Sequence, residues 1–348
     1  MRIAIVTVQA PFVRGGAEVL ADGLETRLRA RGHAVDVVRV PFKWYPPQTI
    51  ADHMLACRLL RVDGGNPDRV IALKFPAYLV PFEDKKVWLL HQFRQAYELW
   101  GTPLAGMPDT VETRALRDMI VRADNACLRG TKGLFTISQT VADRLRRFNH
   151  IEVDDVLYHP LDRPELYGSG EYGDYFFFPG RQNEMKRQHL AVEAMRHVRA
   201  PFRLVLAGKP ECDEYGQRLR ADVERWGLGD RVVFLGWVSD EEKARHTAGA
   251  CALLYLAFDE DSYGYVTLEG FHSHKAVVTC TDSGGTTELV EHEHNGLIVE
   301  PTPEALAAAM EALYADRRRT RDLGAAAHRT LSRRRIDWEI VLDRLTAA

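Results

Sequence analysis

The sequence predicts an open, doubly wound α/β protein in two domains, and three observations carry that prediction. The first forty residues run strand, glycine loop, helix, strand: RIAIVTV at 2–8, the loop APFVRGGAE, a helix through Arg29 stopped by Gly32, and a strand from His33 to Val40. That is how an open parallel sheet begins. The same alternation restarts at Tyr175, after the glycine- and tyrosine-rich stretch YGSGEYGDY, which reads as a link. Finally, 348 residues exceed what one hydrophobic core commonly organises. The expected domains are 1–162 and 163–333.

Composition narrows the function classes. The net charge of -3 gives no global nucleic-acid footprint, so no nucleic-acid partner is expected. No apolar run approaches the length of a membrane span. The opening MRIAIVTVQAP is too short for a signal peptide. Cysteines at 57, 127, 212, 251 and 280 form no C-x-x-C, which points to a reducing cytoplasm and away from a zinc knuckle.

In the first half, the loop with Gly15 and Gly16 is not G-x-G-x-x-G, so no dinucleotide fingerprint is present. PFKWYPP at 41–47 either packs or forms an exposed platform for an acceptor sugar or lipid, and packing is the expectation. Strands follow at 68–73 and 86–90, the second ending in His91-Gln92-Phe93-Arg94. In open α/β sheets ligands bind outside the carboxyl ends of the strands, so His91 is placed to face a site. A basic helix over 114–129 and another opened by Ser138, carrying Arg144, Arg146 and Arg147, suit either solvent or an anionic lipid surface. His159-Pro160-Leu161-Asp162 reads as the connection between domains.

In the second half, strand 175–178 ends in Pro179-Gly180-Arg181, with Lys186 five residues past the arginine. An arginine fork and a lysine point charge between a strand and a helix can hold a diphosphate. Strands at 202–207 and 231–235 lead to Gly208-Lys209-Pro210 and Gly236-Trp237-Val238-Ser239. The apolar run CALLYLAF ends at Phe258; Asp259-Glu260-Asp261 follow, then Ser262, Gly264 and a helix from near Val266. Loop-to-helix junctions bind anions through free N–H groups and the helix dipole. The acids in the same loop suit hydroxyl groups, which donate to them. A ligand with phosphate at one end and hydroxyls on both sides, such as a nucleotide sugar, fits both. A strand at 276–279, then Asp282-Ser283-Gly284-Gly285-Thr286 and Glu288, complete the pattern.

Asp261 and Glu269 bracket seven residues, and this spacing resembles the acid-x7-acid motif of family 4 retaining glycosyltransferases of the GT-B fold. The resemblance implies that Asp261, usually Glu in the family, holds hydroxyls of the transferred sugar, and that Glu269 holds the ribose. It further implies that Gly180, Arg181 and Lys186 meet the diphosphate, together with the segment Gly264, Tyr265, Val266, Thr267. By the same resemblance Trp237 and Val238 meet the base, Gly285 lines the site, Gly15 and Gly16 let backbone approach phosphate or acceptor, and His91 touches the donor sugar. Gly270, Phe271 and His272 depart from the family's usual Glu-Ala-Met continuation. The matching stretches are 2–38, 87–93, 177–186, 232–239 and 261–297.

The implied fold is GT-B, two doubly wound domains facing across a cleft, with the tail from about 334 to 348 packing back on the first. The implied reaction moves a sugar from a nucleoside diphosphate to an acceptor hydroxyl of a glycan or glycolipid, with retained configuration. The donor phosphate takes the acceptor proton, so no enzymic base is required, and side chains and backbone meet the diphosphate charge, so no metal and no cofactor are expected. The D-x-D spelling at 259–261 belongs to a different, single-sheet fold and is not assigned to metal. Location at the cytoplasmic face of a bacterial membrane, in surface-glycan synthesis, follows from the family alone. A UDP-sugar 2-epimerase of the same fold and a catalytically weakened binding protein are the alternatives.

Overall fold

The computed structural model describes residues 1–347. Its contacts divide the chain into two compact units, Met1–Asp162 with the segment from Asp337 onward, and Arg163–Ile336.

In the first unit the elements are β1 (Arg2–Gln9), α1 (Gly16–Ala30), β2 (Ala34–Pro41), α2 (Thr49–Leu59), β3 (Arg69–Ala72), β4 (Lys85–Leu89), α3 (Val111–Leu128), β5 (Gly133–Thr136), α4 (Gln139–Asn149) and β6 (Asp155–Val156). The strands pair in parallel in the order β2-β1-β3-β4-β5-β6. Every residue of β3 and β4 is buried, as befits central strands covered on both faces. Thr110 and Ser138 cap α3 and α4 by accepting from the backbone N–H groups of Thr113 and Val141.

The second unit holds β7 (Tyr175–Pro179), α5 (Gln188–Ala194), β8 (Arg203–Ala207), α6 (Asp213–Arg225), β9 (Val232–Gly236), α7 (Asp240–Gly249), β10 (Ala252–Leu254), α8 (Gly264–His272), β11 (Val277–Cys280), α9 (Thr286–Leu289), β12 (Gly296–Val299), α10 (Pro303–Ala315) and α11 (Arg317–Arg333). Its parallel order is β9-β8-β7-β10-β11-β12. This is the doubly wound order of dinucleotide-binding sheets, and the winding reverses between β7 and β10.

The last helix, α12 (Trp338–Thr346), lies in the core of the first unit. Its Trp338 ring meets Trp88 edge-on at 6.1 Å, and the indole N–H donates to the Leu161 carbonyl at 3.0 Å. Buried Arg69 and Lys86 donate to the Leu345 and Arg344 carbonyls, each at 3.0 Å. Cations at a helix C-terminus satisfy orphan carbonyls and oppose the dipole.

Two local expectations are corrected. PFKWYPP does not pack as a whole: Phe42 lies against Phe75 and His53, but Trp44 and Tyr45 are 43% and 56% exposed. Only Phe42 has a core to enter. The stretch 167–174 is no loose link. A Cβ on Gly170 or Gly173 would stand 2.6 or 2.7 Å from the backbone carbonyls of Ala248 or Gly249, so this segment lies flat against the second unit.

Candidate functional site

At the β7–β10 reversal, three loops leave the sheet and are stitched together. The Phe258 N–H donates to the Met185 carbonyl, the Asp259 N–H to the Asp282 carbonyl, and the Gly285 N–H to the Glu260 carbonyl, each at 2.8 Å. Arg187 adds a two-pronged ion pair to Asp282 at 2.7 and 2.6 Å. The loops after β7 and β8 meet backbone to backbone. Gly208 has φ +118, and a Cβ there would lie 2.1 Å from the Gly180 carbonyl oxygen. Only glycine allows that approach.

Within this frame Lys186 Nζ donates to the Tyr255 hydroxyl at 2.8 Å and to the Glu260 carboxylate. The Tyr255 hydroxyl in turn donates to Glu260 at 2.6 Å. Burial first, and then the Glu260, Asp261 and Glu269 carboxylates, push the Tyr255 phenol well up, so it stays a donor. Gly264 opens α8 at φ +70, where a Cβ would overlap the Tyr255 ring at 2.4 Å. Glu269 is 3% exposed on the inner side of α8. Its Oε1 accepts from Lys243 of α7 at 2.6 Å, while Oε2 is buried without a partner among the described residues. Glu260 is thus paired with Lys186 and Glu269 with Lys243, and lysines and carboxylates of this kind can bind phosphate and hydroxyls respectively.

Other expected residues lie near this point but differ in engagement. Arg181 is half exposed and pairs with Glu211 at 3.4 Å, so it does not share a partner with Lys186. Trp237 is exposed and Val238 half-buried, directly before Ser239, which caps α7 in a reciprocal box with Glu242. Gly285 packs on the backbone of Ser262, where a Cβ would come within 2.7 Å. Val266 and Thr267 are buried and Tyr265 half-buried in the first turn of α8.

In the first unit, Gly15 and Gly16 start α1, and the Gly15 N–H donates to Glu18 at 2.8 Å. His91 follows β4 with Nδ1 2.7 Å from the Gln92 carbonyl. The order reverses there between β1 and β3. Beside that point a half-buried Lys74–Glu18 pair at 3.0 Å went unnoticed in the sequence. So did Lys243 and the pairing of Glu260, because their partners are distant in the chain. Among the described residues, no group of three or more His, Cys, Asp or Glu side chains could hold a metal ion.

The model of the family described as glycosyl transferases group 1 matches residues 173–316. The Rhizobium leguminosarum lipopolysaccharide core mannosyltransferase LpcC is 31% identical over 176 residues, 47% of this chain and 48% of that one. Among solved structures, sucrose-phosphate synthase from Thermosynechococcus elongatus superposes with a TM-score of 0.78 at 19% identity, covering 98% and 96% of the two chains. Residues 173–316 thus match the glycosyl transferases group 1 family, and the chain is similar to glycosyltransferases. The chain has the GT-B fold of these solved glycosyltransferase structures. Anabaena HepE in complex with UDP-glucose shares that fold at a TM-score of 0.72 and 17% identity, covering 99% and 98%. The chain spans less than half the length of the curated relatives it matches. No helix among its described residues is long and apolar enough to cross a membrane.

Proposed function

We propose that this protein is a glycosyltransferase that moves a sugar from a nucleoside diphosphate sugar to an acceptor hydroxyl with retained configuration. The observation that carries the reading is the β7–β10 reversal. It carries Lys186 on the Tyr255 hydroxyl, and the same tyrosine feels the buried Glu269, one carboxylate oxygen of which has no hydrogen-bond partner among the described residues. Lys186 and Arg181 meet the charge that grows on the leaving diphosphate, aided by the N–H groups opening α8. Stabilising developing charge with preorganised donors is a large share of such catalysis. Glu269 holds the ribose and Asp261 the sugar hydroxyls. The acceptor proton passes to the departing phosphate oxygen on the same face, so the protein supplies no base.

The donor reading is a GDP-linked mannose or a related manno-configured sugar. It is supported by relatives named as mannosyltransferases, one of them GDP-mannose-dependent. HepE, which was solved with UDP-glucose, shares only the fold and weighs less. The acceptor is a glycan or glycolipid. The arginine-bearing helices α3 and α4 offer a peripheral contact with anionic lipid at the cytoplasmic face. The metal-independent reading places no ion at 259–261.

Incubation with GDP-mannose and a mannose-terminated glycolipid should give an α-linked product by NMR, with the rate unchanged by EDTA. A β-linked product would contradict retention. Rate loss in EDTA with recovery on Mn²⁺ would contradict metal independence. Conversion of a UDP-sugar to its 2-epimer without acceptor would favour the epimerase.

A further inference from the structure

Lys243 stands near the N-terminal end of α7, yet its shorter contact is with an acid of another helix. It lies in the first turns of α7, behind a first turn that carries Asp240, Glu241 and Glu242. That end of a helix disfavours positive charge. Its Nζ reaches 2.6 Å from Glu269 Oε1 and 3.6 Å from Asp240. Burial alone would push the Lys243 ammonium down, and the carboxylate of Glu269 reverses that and leaves it raised.

Glu269 is among the least exposed acids of the second unit, and its second oxygen has no partner among the described residues. The groups around it are Lys243 from α7, which also approaches Asp240, Tyr167 from the segment before β7, whose hydroxyl hydrogen-bonds to the Glu269 carboxylate, and Tyr255 after β10. Lys243 is the one cation among these. A buried carboxylate without a cation is costly and turns towards whatever donor it can find. With Oε1 on Lys243, Oε2 is the oxygen left without a hydrogen-bond partner among the described residues.

We propose that Lys243 is a positioning residue, which holds Glu269 ionised and fixes which of its oxygens receives the ribose hydroxyls of the donor. The proposal rests on the reading of Glu269 as the ribose acid. Lys243 itself does not touch the reacting atoms. Its effect passes through Glu269 and belongs to ligands that carry the ribose hydroxyls.

The test is calorimetry with GDP and with 2′,3′-dideoxy-GDP on the whole protein and on Lys243→Met, Lys243→Arg and Glu269→Gln. The thermal midpoint of each variant serves as a folding check. The expected result is at least a tenfold weaker affinity of Lys243→Met for GDP, little change for the dideoxy form, and recovery of most of the loss in Lys243→Arg. If Glu269→Gln loses GDP affinity and Lys243→Met does not, the proposal is overturned while the ribose reading stands. Equal losses of Lys243→Met for both ligands make Lys243 merely structural and also overturn it. If the parent binds GDP and the dideoxy form alike, or binds neither, the ribose reading fails and takes the proposal with it.

Discussion

Lys186 is already paired, and that fixes what its replacement should do. Glu260 keeps the Tyr255 hydroxyl when Lys186 is removed, so Lys186→Ala should fold normally. It should lose one charge-assisted contact to the diphosphate, about 1.5–3 kcal/mol of nucleotide binding. Arg181, exposed and engaged only by Glu211, should cost less in binding when changed to Ala and more in turnover. Calorimetry with GDP and steady-state rates separate the two effects, and parent-like binding by both variants would remove them from the site. Glu260 competes with the diphosphate for Lys186. Glu260→Gln should therefore tighten GDP binding by up to about tenfold, which corresponds to roughly 1.4 kcal/mol. Weaker binding would mean that Glu260 orients Lys186 rather than occupying it. The sequence singled out Asp261, Glu269 and Lys186 because each belongs to a short local pattern on a loop or in the helix that follows it. Lys243 was not, because its partner lies 26 residues away and only the packing of α7 on α8 brings them together.

Between elements, two glycines decide whether the loops can meet. Gly264→Ala would put a Cβ into the Tyr255 ring at positive φ. Left-handed strain and overpacking together predict a loss of about 2–5 kcal/mol, read by urea unfolding. The sequence marked Gly264 by its place in the motif, but its contact with Tyr255 is visible only once β10 and α8 are adjacent. In the first unit, Tyr78 and Tyr97 donate to Asp124 at 2.8 and 2.7 Å beneath the Gln92 loop. Burial raises the Asp124 carboxyl to about 7 and lowers the His159 imidazole to about 3. The signs oppose each other. Asp124 stabilises the fold at low pH, and that contribution fades as pH rises from its unfolded range to about 7. His159 destabilises the fold at low pH, and that effect fades as pH rises from about 3 to its unfolded range. Asp124→Asn should remove the first slope and leave stability rising with pH between 4 and 6.5. Urea midpoints across that range would show it, and an unchanged profile would place the proton elsewhere.

At the scale of the molecule, the alternation of strand and helix was legible because parallel strands buried on both faces read as apolar runs, as in RIAIVTV and YFFF. The packing of α12 on the first unit rests on Trp338 against Trp88 and on Arg69 and Lys86, contacts that span the whole chain length and leave no local trace. Trp338→Ala should cost about 3–5 kcal/mol of first-unit stability without changing nucleotide affinity at the second. The central claim is a division of labour: Glu269 reads the ribose, present in every nucleoside diphosphate, and Asp261 reads the transferred sugar. Calorimetry of Glu269→Gln and Asp261→Asn with GDP and with GDP-mannose tests it most directly. The account predicts that Glu269→Gln weakens both ligands, whereas Asp261→Asn leaves GDP nearly untouched and weakens GDP-mannose. Equal losses for both ligands in both variants would contradict it.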